Sequence, residues 1–374
     1  MKNKFHIILI FLILYSSTAL AAKIKVTFIN PGVSERVHAT GGFWAKVSSF
    51  MKAAATDLNI ELEVLYAERN HLELRELVKK VAVRKNKPDY LIIVNEMRQG
   101  GVQLKTAMDA GIKTFMILNT FIRKKNIQLY GVPREKYKNW IGSLIPDNHY
   151  AGYRIAKSII KKAIKNGGVA RNGNLHIVGM AGDLVTPAAI ERNMGLKKAV
   201  AELKNVDLKQ IFVCQWSKDL AHSKISHIFT RYPEVGAIWA ANDPIALGSM
   251  DGTVALGKKP GKDVYFGGLN WDTPALAKIK EGSLTISMGG HFMTGGWAMV
   301  LLHDYHHGKD FKEEGTDLKM KIFDEINSSN VDKYIKKFGD KKWDKIDFSK
   351  FSKVLNPKMI KYDFSLKSIF KQGN

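Results

Sequence analysis

Short apolar runs alternate with helical stretches along this chain, and polar or aromatic residues fall just beyond the end of each run. Residues 24–30, 62–66, 90–94 and 113–118 read as strands, and the stretch after the first carries Phe43, Val47, Phe50, Met51 and Ala54 at helical spacing. That order builds a parallel sheet covered by helices, and in such a sheet ligands bind outside the carboxyl ends of the strands. The theme restarts after Pro146-Asp147-Asn148, a breaker ahead of a long helical window over 149–165. Strands over 175–180, 210–213, 237–240 and 264–266 follow, with helices beginning near Ala188, Lys218, Pro244 and Pro274. The expected fold class is α/β: two Rossmann-like lobes with parallel sheets, joined by a three-strand hinge.

The hinge crossings fall after residue 145, near 289 and near 321–323. The first lobe then takes residues 23–145 plus 289–322. The second takes 146–288 plus 323–374, including a Lys-rich tail whose Phe348, Phe351, Leu355, Tyr362 and Phe364 can pack onto a lobe. Residues 120–138, with Arg123-Lys124-Lys125 and Pro133, read as a polar surface loop.

Ahead of the first strand, Lys2 and Lys4 precede an apolar core over 5–15 and a small-residue site at Ala19-Leu20-Ala21. This reads as a cleaved export signal over 1–22, with a core too short to span a bilayer and no cysteine after it for a lipid anchor. The periplasm is the expected location. Cys214 is the only cysteine, so no internal disulfide forms and stability rests on packing. The formal net charge of +23 attracts anions of every kind. Its lysines are dispersed among acids, as in Lys341-Lys342-Trp343-Asp344-Lys345, so a nucleic-acid partner is not expected.

Candidate binding residues follow from the strand ends. Asn30 closes the first strand, and Phe43-Trp44 opens the next helix. A flat ring beside an amide suits a sugar, whose C–H faces stack on aromatic planes while its hydroxyls take polar side chains. Adjacent helix residues point in different directions, so one ring can serve the core while the other lines the cleft, and Trp44 is the one expected at the cleft. Asn95 and Asn119 end the third and fourth strands, although Asn also serves turns. In the second lobe Arg192 lies in a helix start, Trp216 lies past a strand, and Asn242 faces the cleft if Asp243 caps the helix ahead of Pro244. Asn270, Trp271 and Asp272 offer an amide, an indole and a carboxylate together, and His291 falls at the return crossing.

NPG with a downstream FW, PDNHYAGYRIAKSI, TPAAIERNMGLKKAV, AANDPIALG and GGLNWDTP followed by GSLTISM occur in that order. With these segments the chain resembles the periplasmic sugar-binding proteins of ribose- and galactose-binding type, the type I periplasmic binding protein fold, over nearly all of its length past the signal. The resemblance implies cleft contacts at Asn30, Phe43 or Trp44, Asn119, Arg192, Asn242 and Asn270. Family members commonly carry Asp where Asn119 and Asn270 stand. It also implies a monomer that closes over a small sugar or sugar-like ligand and presents it to the membrane permease of an ABC importer, with no cofactor. The chain is similar as well to the quorum-signal receptors of that family, which dock to a membrane sensor kinase. An exported enzyme is the rival class. Glu96 with Asp272 supplies two acids for glycoside hydrolysis, but no nucleophile elbow, HExxH or metal-spaced His and Cys set is present. No catalytic and no metal-ligating residue is expected.

Overall fold

The computed structural model describes residues 22–34 and 42–372; residues 1–21 of the expected export signal lie outside them. In chain order the first lobe runs β1 (Ile24–Asn30), α1 (Phe43–Asp57), β2 (Ile60–Tyr66), α2 (Glu73–Ala82), β3 (Tyr90–Ile93), α3 (Gly100–Asp109), β4 (Lys113–Ile117), α4 (Lys124–Tyr130) and β5 (Trp140–Pro146). The second runs α5 (Asn148–Lys165), β6 (Leu175–Ala181), α6 (Pro187–Ala201), β7 (Val206–Val213), α7 (Lys218–Arg231), β8 (Val235–Ala240), α8 (Asp243–Ala255), β9 (Tyr265–Leu269), α9 (Thr273–Lys280) and β10 (Ile286–Gly289). The chain returns through α10 (Thr294–His306) and β11 (Asp317–Met320), crosses again to β12 (Asp324–Ile326), and ends with α11 (Val331–Phe338) and α12 (Leu366–Lys371).

Two six-stranded sheets result, ordered β11-β5-β4-β3-β1-β2 and β12-β10-β9-β8-β6-β7, parallel throughout except for β12. The strands are apolar on both faces because helices cover both sides, so every residue of β3, β5, β6 and β8 is buried. α5 is amphipathic for the same reason, with Ala151, Ile155, Ile159 and Ala163 on one stripe facing the core. Asp147 caps it by accepting from the Tyr150 amide at 2.8 Å. Three segments pass between the sheets, at 146–148, 289–294 and 320–324.

Two expectations are corrected here. Residues 120–138 are more than a polar loop: α4 forms within them, and Phe121 is buried against Tyr130 and Trp140 with ring centroids 4.7 and 5.6 Å apart. The tail also departs from the assignment of 323–374 to the second lobe. α11 does pack there, with Tyr334 5.0 Å from Trp271, and α12 returns to it, with Phe370 5.3 Å from Phe338, but between Trp343 and Phe364 the chain lies on α1 and α10 of the first lobe. Phe364 stacks on Trp297 at 4.8 Å, the Phe348 amide donates to Asp57 at 2.8 Å, and Asp304 accepts from the Ser352 hydroxyl, the Lys353 amide and the Tyr362 hydroxyl. The physical reason is that α1 and α10 carry Phe50 and Trp297 on the face away from their sheet, and the tail aromatics remove them from water. Leu355 alone of the expected packing residues is exposed.

A candidate ligand cleft between the lobes

The strand ends of both sheets face one another across a cavity bordered by Phe43, Trp44, Arg69, Glu96, Leu118, Asn119, Pro146, Asn148, Thr186, Ala188, Arg192, Trp216, Asn242, Asn270 and His291. The lobes touch around it. The Ala188 amide of α6 donates to Asn119 Oδ1 at 2.9 Å, and Lys46 of α1 reaches across to Asn270 O, Trp271 O and Asp272 Oδ1 at 2.9, 3.1 and 3.1 Å.

On the first-lobe side the aromatic pair is held by Asn30. Its Nδ2 donates to Trp44 O at 3.2 Å and Ser48 Oγ at 2.7 Å, while its Oδ1 accepts from the Gly32 amide at 2.7 Å. Both rings border the cavity, Trp44 as expected and Phe43 beside it. Phe43 lies flat on His291, with centroids 4.4 Å apart, and edge-on to Trp44 at 5.2 Å. Beyond β3 the chain turns through Met97 and Arg98 at positive φ, which leaves Glu96 facing inward. Arg69 donates to Glu96 Oε1 at 3.2 Å, and Asn119 Nδ2 lies 3.5 Å from Oε2. Burial pushes the Glu96 carboxyl above the usual range against the pull of Arg69.

On the second-lobe side Arg192 is 5% exposed, and its guanidinium is fixed by two neutral acceptors, Asn148 Oδ1 and Ala241 O, both at 2.9 Å. α6 brings it there because α5 and α6 cross closely: a Cβ on Gly152 would collide with the Arg192 backbone. Loss of water lowers the guanidinium pKa to about 10, which still leaves it charged. Trp216 stands 5.8 Å from it, its Nε1 donating to Asp183 Oδ2 at 2.8 Å. The indole lies directly over Gly182, where any Cβ would overlap its ring. His291 is buried and its pKa falls well below 6.5, first from desolvation and then from Arg192 and Lys46, so it is a neutral imidazole.

Of the residues singled out from sequence, Phe43, Trp44, Asn119, Arg192, Trp216, Asn242, Asn270 and His291 come together at the cavity. Asn30, Asn95, Trp271 and Asp272 do not border it. Asn30 braces the aromatic pair, as above. Asn95 ties β3 to its neighbours by donating to Thr120 O at 2.8 Å and accepting from the Gly100 amide at 2.9 Å. Trp271 is buried with its Nε1 on Ser287 O at 3.0 Å, and Asp272 is spent on Lys46. The capping role expected of Asp243 belongs to Asn242, whose Oδ1 accepts from the Ile245 amide at 2.9 Å while the residue still borders the cavity. Asp243 is instead buried, accepting from the Ser287 hydroxyl and the Asp272 amide. Arg69, Asn148 and Thr186 were not among the expected contacts, and Glu96 was expected only as an acid for glycoside hydrolysis. Asn148 and Glu96 stand at strand ends where the same rule finds them, whereas nothing local marks Arg69 or Thr186.

The model of the periplasmic binding protein domain matches residues 36–310. The chain belongs to this family. The ribose import binding protein RbsB of Escherichia coli (strain K12) is 26% identical over 278 residues, which are 74% of this chain and 84% of that protein. The galactofuranose-binding protein YtfQ of the same organism is 23% identical over 282 residues, 73% of this chain and 79% of that one. Among solved structures, a periplasmic sugar-binding protein from Pseudomonas fluorescens aligns with a TM-score of 0.82 at 33% identity, covering 93% of this chain and 99% of its own. As a periplasmic binding protein the chain has the type I architecture of two α/β lobes with a cavity between them. Among the described residues no helix is long and apolar enough to cross a membrane, and no group of His, Cys, Asp or Glu could hold a metal ion.

Proposed function

We propose that this chain captures a monosaccharide between its lobes in the periplasm and presents it to the permease of an ABC importer. The observation that carries the reading is the cavity itself: rings of Phe43, Trp44 and Trp216 from both lobes surround amide and guanidinium groups at opposed strand ends. Apolar C–H faces of a sugar find planes to cover, and its oxygens find donors and acceptors placed by rigid strands and helix starts. The names of the relatives, ribose import and galactofuranose binding, point the same way and favour an importer over a sensor. Capture then follows from closure, because a guest that touches both lobes binds the shut form better than the open one.

Hydrolysis is disfavoured by the same geometry. Glycoside cleavage needs two acids facing the bond. Glu96 is the only carboxylate bordering the cavity among the described residues, and Asp272 is turned away onto Lys46. A thermal-shift and calorimetric screen of pentoses, hexoses and polyols together with their acid and phosphate derivatives tests the reading. A ligand present at 100 times its Kd should stabilise the fold by about 2.7 kcal/mol. A folded protein whose melting midpoint none of these compounds moves would overturn it.

A further inference from the structure

The charges around the cavity are not balanced. Among the described residues its charged neighbours are Arg69, Arg192 and Glu96. Glu96 is engaged by Arg69 at 3.2 Å, and the nearby Asp183 is spent on Trp216 Nε1 and the Thr186 hydroxyl at 2.8 and 2.6 Å. No carboxylate bonds Arg192. Its Nε and Nη1 are taken by an amide oxygen and a backbone carbonyl, its Nη2 has no protein partner, and the side chain is 95% removed from water. Nη2 is not fully enclosed and Arg192 borders the cavity, so this is the end of the guanidinium left for a guest. Glu191 and Glu96 act on the guanidinium only at a distance, without a hydrogen bond, so a guest that brings an anionic acceptor to it relieves a buried charge.

The adjoining residue strengthens the asymmetry. Arg192 docks on the carbonyl of Ala241, immediately before Asn242, and the Asn242 oxygen is consumed by the helix cap. Only the donor end of that amide remains for a guest. The part of the second-lobe wall around Arg192 and Asn242 is therefore a patch of donors. A sugar hydroxyl placed there accepts one bond but finds no acceptor for its own proton, whereas a carboxylate accepts twice and has nothing left to donate. Acceptors stand elsewhere, at Glu96 and at the unpaired oxygen of Asn270, where hydroxyl protons can go. The excess of 58 basic over 35 acidic residues draws anions toward the protein at long range.

We infer that the guest is an anionic monosaccharide, its oxyanion seated on Arg192 and Asn242 and its hydroxyls turned toward Glu96 and Asn270. This rests on the sugar-capture reading and narrows it to a charge class. The test is isothermal titration of the full mature chain with matched pairs: galacturonate against galactose, arabinonate against arabinose, and ribose 5-phosphate against ribose. Salt at about 150 mM removes long-range attraction. At least one acid should bind about tenfold or more tightly than its neutral partner, and the arm that does so tells carboxylate from phosphate. N242D, which keeps an oxygen for the helix cap, should lower the ratio of acid to neutral-sugar affinity by about tenfold or more. Neutral sugars that bind as tightly as their acids would overturn the charge inference while leaving sugar capture intact. A folded protein that binds neither class in any pair would remove the inference together with the reading beneath it.

Discussion

Lys46 should control how readily the lobes shut. It belongs to α1 of the first lobe, yet the residue is 7% exposed and its ammonium bonds only second-lobe groups among the described residues: two backbone carbonyls and Asp272, all within 3.1 Å. Opening the lobes must break all three contacts and return both charges to water. Charge-assisted hydrogen bonds contribute about 1.5–3 kcal/mol each before desolvation is counted. Desolvation of a buried pair takes most of that back, so a net bias of about 1–3 kcal/mol toward the shut form remains. Lys46→Met removes the bonds and leaves Asp272 shut in beside Asp243 with no cation. Each 1.4 kcal/mol changes the shut-to-open ratio about tenfold, so affinity for the sugar that stabilises the wild type most should fall about 10- to 100-fold. Calorimetry gives the affinity, and small-angle scattering of the ligand-free protein should show a larger radius of gyration for the variant. An affinity within about twofold of wild type, with an unchanged scattering profile, would refute the view that this contact biases closure.

Other perturbations separate the parts of the molecule. Burial, and then the neighbouring Asp272, push the Asp243 carboxyl up to about 7, so the folded state holds that proton more tightly than the unfolded chain does. Its contribution favours folding at low pH and is lost as pH rises toward 7. The melting midpoint of Asp243→Asn should therefore fall less than that of wild type between about pH 5 and 8. The opposing effect of neutral His291 is common to both proteins and cancels in the comparison. Trp216→Ala removes an aromatic face beside Arg192 and should weaken sugar binding by about 1–2 kcal/mol, some 5- to 30-fold by titration, with little loss of fold stability. Asp304→Ala leaves the Lys353 amide and the Ser352 and Tyr362 hydroxyls without their acceptor, at about 1–3 kcal/mol for each buried donor. Limited trypsin digestion should then cut within residues 341–371 while the ligand-induced thermal shift persists.

The architecture was legible because its signals are local and repeated. Runs such as those ending at Asn30, Ile117 and Ala240 are buried on both faces, so they stand out from the amphipathic helices between them, and Pro146-Asp147 marks a crossing by its own backbone chemistry. The path of the tail was not legible. Phe348 and Phe364 announce that they will be buried, but only the folded chain shows that Phe50 and Trp297 wait on the first lobe to cover them. Arg69 escaped for a related reason, since its pairing with Glu96 spans two separate strand ends.

The strand-end asparagines show where the limit lies at the site. Asn30, Asn95, Asn119, Asn242 and Asn270 all follow strands, and one local rule selects all five. Position alone does not tell an amide that holds the wall from one that meets a guest, because both use the same short side chain to reach nearby backbone. Asn119 borders the cavity with both ends bonded, but the other four separate by how much of each amide is already spent. Asn30 and Asn95 have both ends bonded within the protein, whereas Asn242 gives up its oxygen alone and Asn270 its nitrogen alone. Arg192 follows the same logic with more donors: two anchor it to neutral oxygens, and those left over turn a structural side chain into the feature that selects the charge of the guest.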